Sequence, residues 1–325
     1  MKATIVQFET QGPPDVMKFK DIELAPPGPG EVTIEQTVIG LNFIDIYHRG
    51  GQYQLPLPSG VGAEAAGKVM SLGEDVEGLS VGDRVIYGGG PPGSYATHRN
   101  FSTDRLIPIP DDIDDEIAAA IILKGITAEY LLRRCYPVRT GENILFHAAA
   151  GGVGLIAGQW GNHLGANMIG VAGGPDKCQL ALNNGYAHCI DRKTEDIIDQ
   201  VKKITGGAGV PVVYDSVGKD SFDASLNSLK PMGMFVSFGT TTGEPPAVAP
   251  STLQKMGSLF ITRPTLVNYM AATDDLKNSA RQVFELLQQG VLNVTVGQRY
   301  KFDDVVRAHT DMEAGATHGS SILTL

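Results

Sequence analysis

The sequence predicts an α/β fold in two parts: a β-rich region first, then a doubly wound parallel sheet with helices on both faces. Three observations predict it. Residues 1 to about 124 carry short β-rich runs broken by Gly and Pro. Beyond them strand and helix signals alternate. The first strand of that alternation, Asn143-Ile144-Leu145-Phe146-His147, runs into the glycine-rich turn Ala148-Ala149-Ala150-Gly151-Gly152-Val153-Gly154 and then an apolar helical stretch.

The N-terminal elements are short. Residues 1–8, 31–39 and 83–87 read as strands, and breakers such as 26–30 and 88–93 read as loops between them. Many short strands with turn signals between them suggest a compact, barrel-like β domain. Residues 114–120 read as a helix start, with acids near the positive end of its dipole, and 127–134 continue it. The glycine turn leads to a helix reaching about residue 163. Further strands are expected at 168–172, 188–191, 210–215, 233–239 and 258–262, with helices over 175–183, 194–204 and 222–229. Six strands alternating with helices make a Rossmann domain, whose ligand crevice lies at the strands' carboxyl ends. After about residue 264 come a long amphipathic helix at 274–289, a strand at 293–296, a helix at 303–314 and a strand at 321–324. About sixty residues make a marginal domain alone, so this tail is expected to rejoin the first domain. The expected division is 1–124 with 267–325, and 125–266.

Positions 149, 151 and 154 fit the G-x-G-x-x-G spacing with Ala149 in the first glycine slot. Small residues let the backbone turn tightly against a pyrophosphate, and the following helix offers free N–H groups and the positive end of its dipole. The strand before and the helix after are the context such a turn requires. Ala150, Gly151, Gly152 and Val153 are therefore expected to bind a dinucleotide. A glycine turn that only packs a helix on a sheet is the alternative.

Composition narrows the function classes. Hydrophobic residues make up 42% and charged residues 19%, as in a soluble globular protein. The net charge is −10, with no Lys/Arg run, which disfavours nucleic acid and anionic membrane. No apolar run approaches the ~18 residues of a membrane span, and residues 1–8 lack the core of a signal peptide. Cys135, Cys178 and Cys189 show no Cys-x-x-Cys pairing, which fits a reducing cytoplasm. No Gly-x-Ser-x-Gly or His-Glu-x-x-His occurs, so hydrolase readings lack support. His147 at the strand end reads as packed and hydrogen-bonded.

Six stretches together carry a family resemblance: 40–45 (GLNFID), 58–67 (PSGVGAEAAG), 81–85 (VGDRV), 123–127 (LKGIT), 147–154 and 213–218 (VYDSVG). Across essentially its full length the chain resembles the medium-chain dehydrogenase/reductase superfamily, and most of all its zinc-free, zeta-crystallin-like NADPH:quinone reductases. The resemblance implies a GroES-like catalytic domain beside the Rossmann domain and a quinone site in the cleft between them. Zinc relatives hold the catalytic metal with Cys, His and Cys. The matching positions are Asn42, Ala63 and Lys124, none of which supplies a thiolate or imidazole. The structural-zinc cysteine cluster is missing too, so no metal is expected. That removes the Lewis acid alcohol oxidation needs and favours an electron-poor acceptor.

An NAD-preferring turn places an acid at the end of the second strand. Here that strand ends Ala172-Gly173-Gly174, with Lys177 and Arg192 where relatives place residues around the 2′-phosphate. A cationic pocket without a carboxylate suits NADPH, although Asp176 could reach a ribose. Some relatives carry a phosphate-holding arginine near the C-terminus; the matching position here is Gly315. The resemblance further implies contacts from Phe238, Gly239 and Thr240 to the nicotinamide half, with Ser216 near the adenine side. Near the quinone it implies Asn42, Tyr47, Tyr53, Lys124 and Thr127 as polar candidates, with Tyr53 or solvent delivering a proton. Each has a structural reading as well: Asn42 can cap a turn, Tyr47 can be core and Lys124 a helix-end cation.

The expected function is quinone reduction by NADPH. The alternatives are reduction of the carbon–carbon double bond of enones or alkenals, and a non-enzymatic crystallin-like or RNA-binding role. Related proteins pair through the last Rossmann strands, and residues 257–262 carry β-propensity with few charges. Exposed at an edge they would invite pairing, so a homodimer is expected.

Overall fold

The computed structural model describes residues 1–325, which divide into two compact units. The first unit comprises Met1–Lys124, Met270–Phe284 and Val294–Leu325, and the second Gly125–Tyr269 and Glu285–Asn293. The sequence-based division assigns 267–325 to the first domain whole. Residues 267–269, and the short piece 285–293, group instead with the second unit. The end of that short piece is tied there by Gln159, whose side-chain oxygen accepts from Asn293 N (2.6 Å) and whose amide donates to Asn293 O (3.1 Å). The strand expected at 293–296 accordingly lies later, at Val296–Lys301.

The first unit is built on a seven-stranded sheet. Its long central strand, Glu31–Leu41, pairs antiparallel with Glu64–Leu72, His98–Ser102 and the C-terminal strand Ser320–Thr324. The C-terminal strand in turn pairs parallel with Val296–Lys301. Val32, Ile34, Ile39, Val69, Val85 and Tyr87 fill the core beneath this sheet. Opposite the irregular register at Gln36 and Val38, the buried Gln36 amide donates to Ser94 O (2.9 Å), which satisfies a polar group inside an apolar sheet.

The second unit holds six parallel strands. Their spatial order is His188–Asp191, Asn167–Ala172, Asn143–His147, Val210–Asp215, Leu229–Ser237, Phe260–Thr262. This is the Rossmann order, with the direction of winding reversing between Asn143–His147 and Val210–Asp215. All six residues of Val210–Asp215 are buried, as expected of a strand covered on both faces. The edge strand Phe260–Thr262 is different: Phe260 is 56% exposed and Ile261 39%.

The helix Asp115–Tyr130 runs from the first unit into the second and ends in one π-helical turn, Leu131–Cys135. Lys124 is thus mid-helix rather than at a helix end.

Candidate functional site

The glycine turn closes as its spacing requires. Ala148 takes the left-handed conformation (φ 54°), and Gly151 N donates back to Ala148 O (2.9 Å). Gly151 caps the helix Gly152–His163, with no side chain occupying the cap. The first helical bond runs from Leu155 N to Gly151 O (2.9 Å), so the N–H groups of Gly152, Val153 and Gly154 precede the ladder and point out of the helix end. A Cβ on Gly154 would overlap the carbonyl oxygens of Ala148 and Ala149. The turn therefore sits flush against its helix at the carboxyl end of the first Rossmann strand, and it presents donors suited to an anion.

The second strand ends one residue before Gly173-Gly174, and three cations gather there. The Arg192 guanidinium lies about 3.4 Å from where a Gly173 Cβ would be, and Lys193 Nζ lies 3.7 Å from the same point on Gly174. Partial burial, then the charges of Arg192 and Lys193, push the Lys177 ammonium below its ordinary range. Asp191 is the acid at the end of the neighbouring strand. Its Oδ1 accepts from Gly174 N (2.8 Å) and Lys193 N (3.0 Å), which hold it below the usual carboxylate range. It braces the loop that carries the cations. Lys193 was not singled out in the sequence, where it reads as one more loop charge. Gly315, at the position where some relatives carry an arginine, follows the helix Val305–Glu313 in the left-handed conformation (φ 64°), which favours glycine.

At the reversal point the fourth strand ends in Asp215. Its Oδ1 accepts from Val217 N (2.7 Å) and Gly218 N (3.1 Å), shaping the turn after it. Its Oδ2 accepts from Ser225 Oγ (2.5 Å), which also meets His147 Nε2 (3.0 Å). Burial pushes the His147 imidazole down, and a packed, hydrogen-bonded ring is what the structure holds. Ser216 O accepts from Thr241 N (3.1 Å), and a Cβ on Gly239 would overlap Ser216. Ser216, Phe238, Gly239 and Thr240 therefore lie together at the carboxyl ends of the fourth and fifth strands.

In the first unit two of the polar candidates, Asn42 and Lys124, meet on a residue sequence reasoning missed, Glu64. Its carboxylate is fully buried and accepts from Leu123 N (2.7 Å), Asn42 Nδ2 (2.8 Å) and Lys124 Nζ (3.2 Å). Asn42 is the N-cap of the helix Phe43–Gly50 in a reciprocal capping box with Asp45, whose Oδ2 accepts from Asn42 N (2.9 Å). Behind Asp45, Tyr95 Oη donates to the same Oδ2 (3.1 Å) and meets His309 Nε2 (2.9 Å). Tyr47 is buried and packs edge-on against the half-buried Tyr53, ring centroids 5.5 Å apart. Thr127 lies three residues beyond Lys124 on the same helix, buried. So Asn42 and Lys124 meet on one carboxylate, and Tyr47 meets Tyr53. At the three positions matching zinc ligands stand an amide, a methyl and an ammonium; none is a zinc donor.

Comparison with known proteins agrees with this layout. Residues 28–111 match the alcohol dehydrogenase GroES-like domain family, and residues 152–289 the zinc-binding dehydrogenase family. The quinone oxidoreductase of Salmonella typhimurium is 45% identical over 324 residues, covering 99% of each chain. The chain belongs to the quinone oxidoreductase family. The structure of Escherichia coli quinone oxidoreductase complexed with NADPH superposes with a TM-score of 0.97 at 43% identity, over 99% of this chain and 100% of that one. A 2-haloacrylate reductase from a Burkholderia species is 39% identical over 321 residues, 96% of each chain. Both the doubly wound domain and the GroES-like domain of the family are therefore present.

The buried ionisable pair behind Glu64 has a consequence for stability. Burial raises the Asp45 carboxyl to about 7, against the pull of its bonds to Asn42 and Tyr95; nearby Glu64 adds to the rise and Lys124 opposes it. Its folded value lies above the unfolded one, so folding is favoured at low pH and this contribution is lost as pH rises toward 7. Burial, then Arg49, holds His309 down at about 3, and its contribution runs the other way, lost as pH falls below about 6.5. Asp45→Asn removes only the first. Relative to wild type, the variant should gain roughly 3 kcal/mol between pH 5 and 7.5 and stay level above. Urea unfolding across that range measures it; a pH-independent difference contradicts it.

Proposed function

We propose that the chain is an NADPH-dependent reductase of quinones that works without a metal ion. The observation that carries the cofactor is the trio Lys177, Arg192 and Lys193 gathered at a strand end where an NAD site would keep a free carboxylate. The turn formed by Ala150, Gly151, Gly152 and Val153 cradles the pyrophosphate, Gly173 gives the phosphate close approach, and Lys177 and Arg192 hold the 2′-phosphate. Phe238, Gly239 and Thr240 orient the nicotinamide half, and Ser216 lies toward the adenine.

NADPH, when bound, supplies a hydride, two electrons with one hydrogen. A quinone that takes it becomes a hydroquinone monoanion, and one proton, from solvent or relayed through Tyr53, completes the hydroquinone. The chain's task is to orient the acceptor and stabilise charge on its oxygen. Lys124, Asn42, Tyr47, Tyr53 and Thr127 are the polar groups assigned to the acceptor region. The same residues argue against a metal, since Asn42, Ala63 and Lys124 replace its ligands. The likeness to 2-haloacrylate reductase favours a second reading, reduction of an electron-poor carbon–carbon double bond on this scaffold. NADPH oxidation should proceed with benzoquinone and naphthoquinone, unaffected by chelators. Turnover with 2-haloacrylate or an enone alone would overturn the first reading in favour of the second.

The phosphate assignment is tested separately. Lys177→Ala and Arg192→Ala should each raise KM for NADPH about 10- to 100-fold and leave NADH nearly unchanged. Equal losses with both cofactors would place these cations elsewhere.

The acidic balance favours a small-molecule partner over RNA, and sparse, free cysteines favour the cytoplasm. No helix is long and apolar enough to cross a membrane. The edge strand Phe260–Thr262, with Phe260 and Ile261 outward, supports a homodimer through 257–262. Wild type should sediment at twice the mass of one chain and Phe260→Asp at one. A wild-type monomer at micromolar concentration refutes the dimer.

A further inference from the structure

Among the buried polar groups, the one that gathers most from distant parts of the first unit is Glu64. Its two oxygens are shared unequally. Oε1 takes the main-chain N–H of Leu123, which anchors the carboxylate to the helix Asp115–Tyr130. Oε2 takes both Asn42 Nδ2 and Lys124 Nζ. The two side chains differ in what remains to them. The Asn42 side chain donates only through its nitrogen, and that nitrogen is on Glu64 with a long reach to Gly40 O (3.5 Å). The Lys124 ammonium has given Glu64 one of its three N–H directions. An ammonium on a flexible stem is normally a poorly aimed charge. Here a rigid, anchored carboxylate fixes it.

We propose that Glu64 is the positioning residue of this reductase: it aims the Lys124 ammonium at the acceptor oxygen, and Asn42 acts by clamping Glu64 rather than by touching the acceptor. This rests on the quinone-reductase reading above and deepens it. The fixed ammonium stands where zinc relatives keep their electrophile. It neutralises charge on the acceptor oxygen as the hydride arrives, and it needs no reorganisation at that moment. Glu64 touches neither cofactor nor acceptor.

The test is a double-mutant cycle with Glu64→Gln, Lys124→Met and the pair together. Lys124→Met alone leaves an uncompensated buried carboxylate and should lower Tm strongly. The neutral double variant should recover much of that Tm. Expected kinetics are a fall in kcat with quinone of 10- to 100-fold in the double variant, with KM for NADPH within twofold of wild type. Glu64→Gln should lose nearly as much as the double variant, since its effect passes through Lys124. A readout besides turnover is equilibrium binding of a nitrophenolate, which mimics the hydroquinone anion: about tenfold weaker in the double variant. A double variant that keeps kcat and phenolate affinity within twofold overturns the proposal, as does a Glu64→Gln loss that adds fully to that of Lys124→Met. Wild type that binds the phenolate through this pair yet reduces no quinone overturns the substrate reading and leaves the ammonium's placement standing.

Discussion

A carboxylate with no access to water must find donors or cost the fold several kcal/mol. Glu64 meets that constraint with three, and the first unit is shaped around them. Gly40 lacks a side chain because a Cβ there would overlap Glu64 Oε2 and Ala119 O, so strand 31–41 and helix 115–130 close directly over the carboxylate. Asn42 is drawn inward to it and thereby starts the helix Phe43–Gly50, whose first acid, Asp45, continues the buried chain to Tyr95 and His309. Such a network contributes little net stability, because desolvation offsets most of the attraction. What it supplies is geometry: a single ammonium, held by a strand and a helix, in one place.

The second unit solves an opposite problem. Lys177, Arg192 and Lys193 repel one another, and the Lys177 ammonium is held down first by partial burial and then by the charges of the other two. Their loop is held not by an anionic partner among them but by Asp191, turned onto backbone N–H groups. A bound phosphate dianion would relieve the repulsion and pair with donors already in position. On the proposed reading, part of the binding energy there would come from repulsion removed, and ligand binding would couple to stability of the unit.

How much of this was legible in the sequence depended on range. The glycine turn and the strand–helix alternation are local patterns, and 148–154 closes as its spacing implied because Ala148, Gly151 and Gly154 settle it among themselves. Lys177 and Arg192 were visible through their distance from the turn. Glu64 was not, although it stands in a stretch that carries the family resemblance: its partners lie 22 and 60 residues away, and an acid inside a β-rich run reads as a solvated side chain. Lys193 was hidden because the meaning of its charge depends on Gly174, brought near only by the pairing of two strands. The strand at 293–296 was misplaced for the same reason. Its alternation is real, but Asn293 is held by Gln159, on a helix more than a hundred residues earlier.

On the proposed reading, a fixed ammonium in place of a metal limits what the site can do. A divalent ion polarises a carbonyl or alkoxide by direct coordination and lowers the pKa of what it binds by many units. An ammonium already paired with a carboxylate offers a hydrogen bond and a partly neutralised charge, roughly the strength of one oxyanion-hole donor. That is too little to make an alcohol give up hydride readily, which needs an alkoxide. It is enough where the acceptor itself holds the incoming charge, as a quinone does by becoming aromatic. On the proposed reading, the ammonium at position 124 and an electron-poor acceptor belong together: the Lewis acidity the site would lack is chemistry such a substrate does not require.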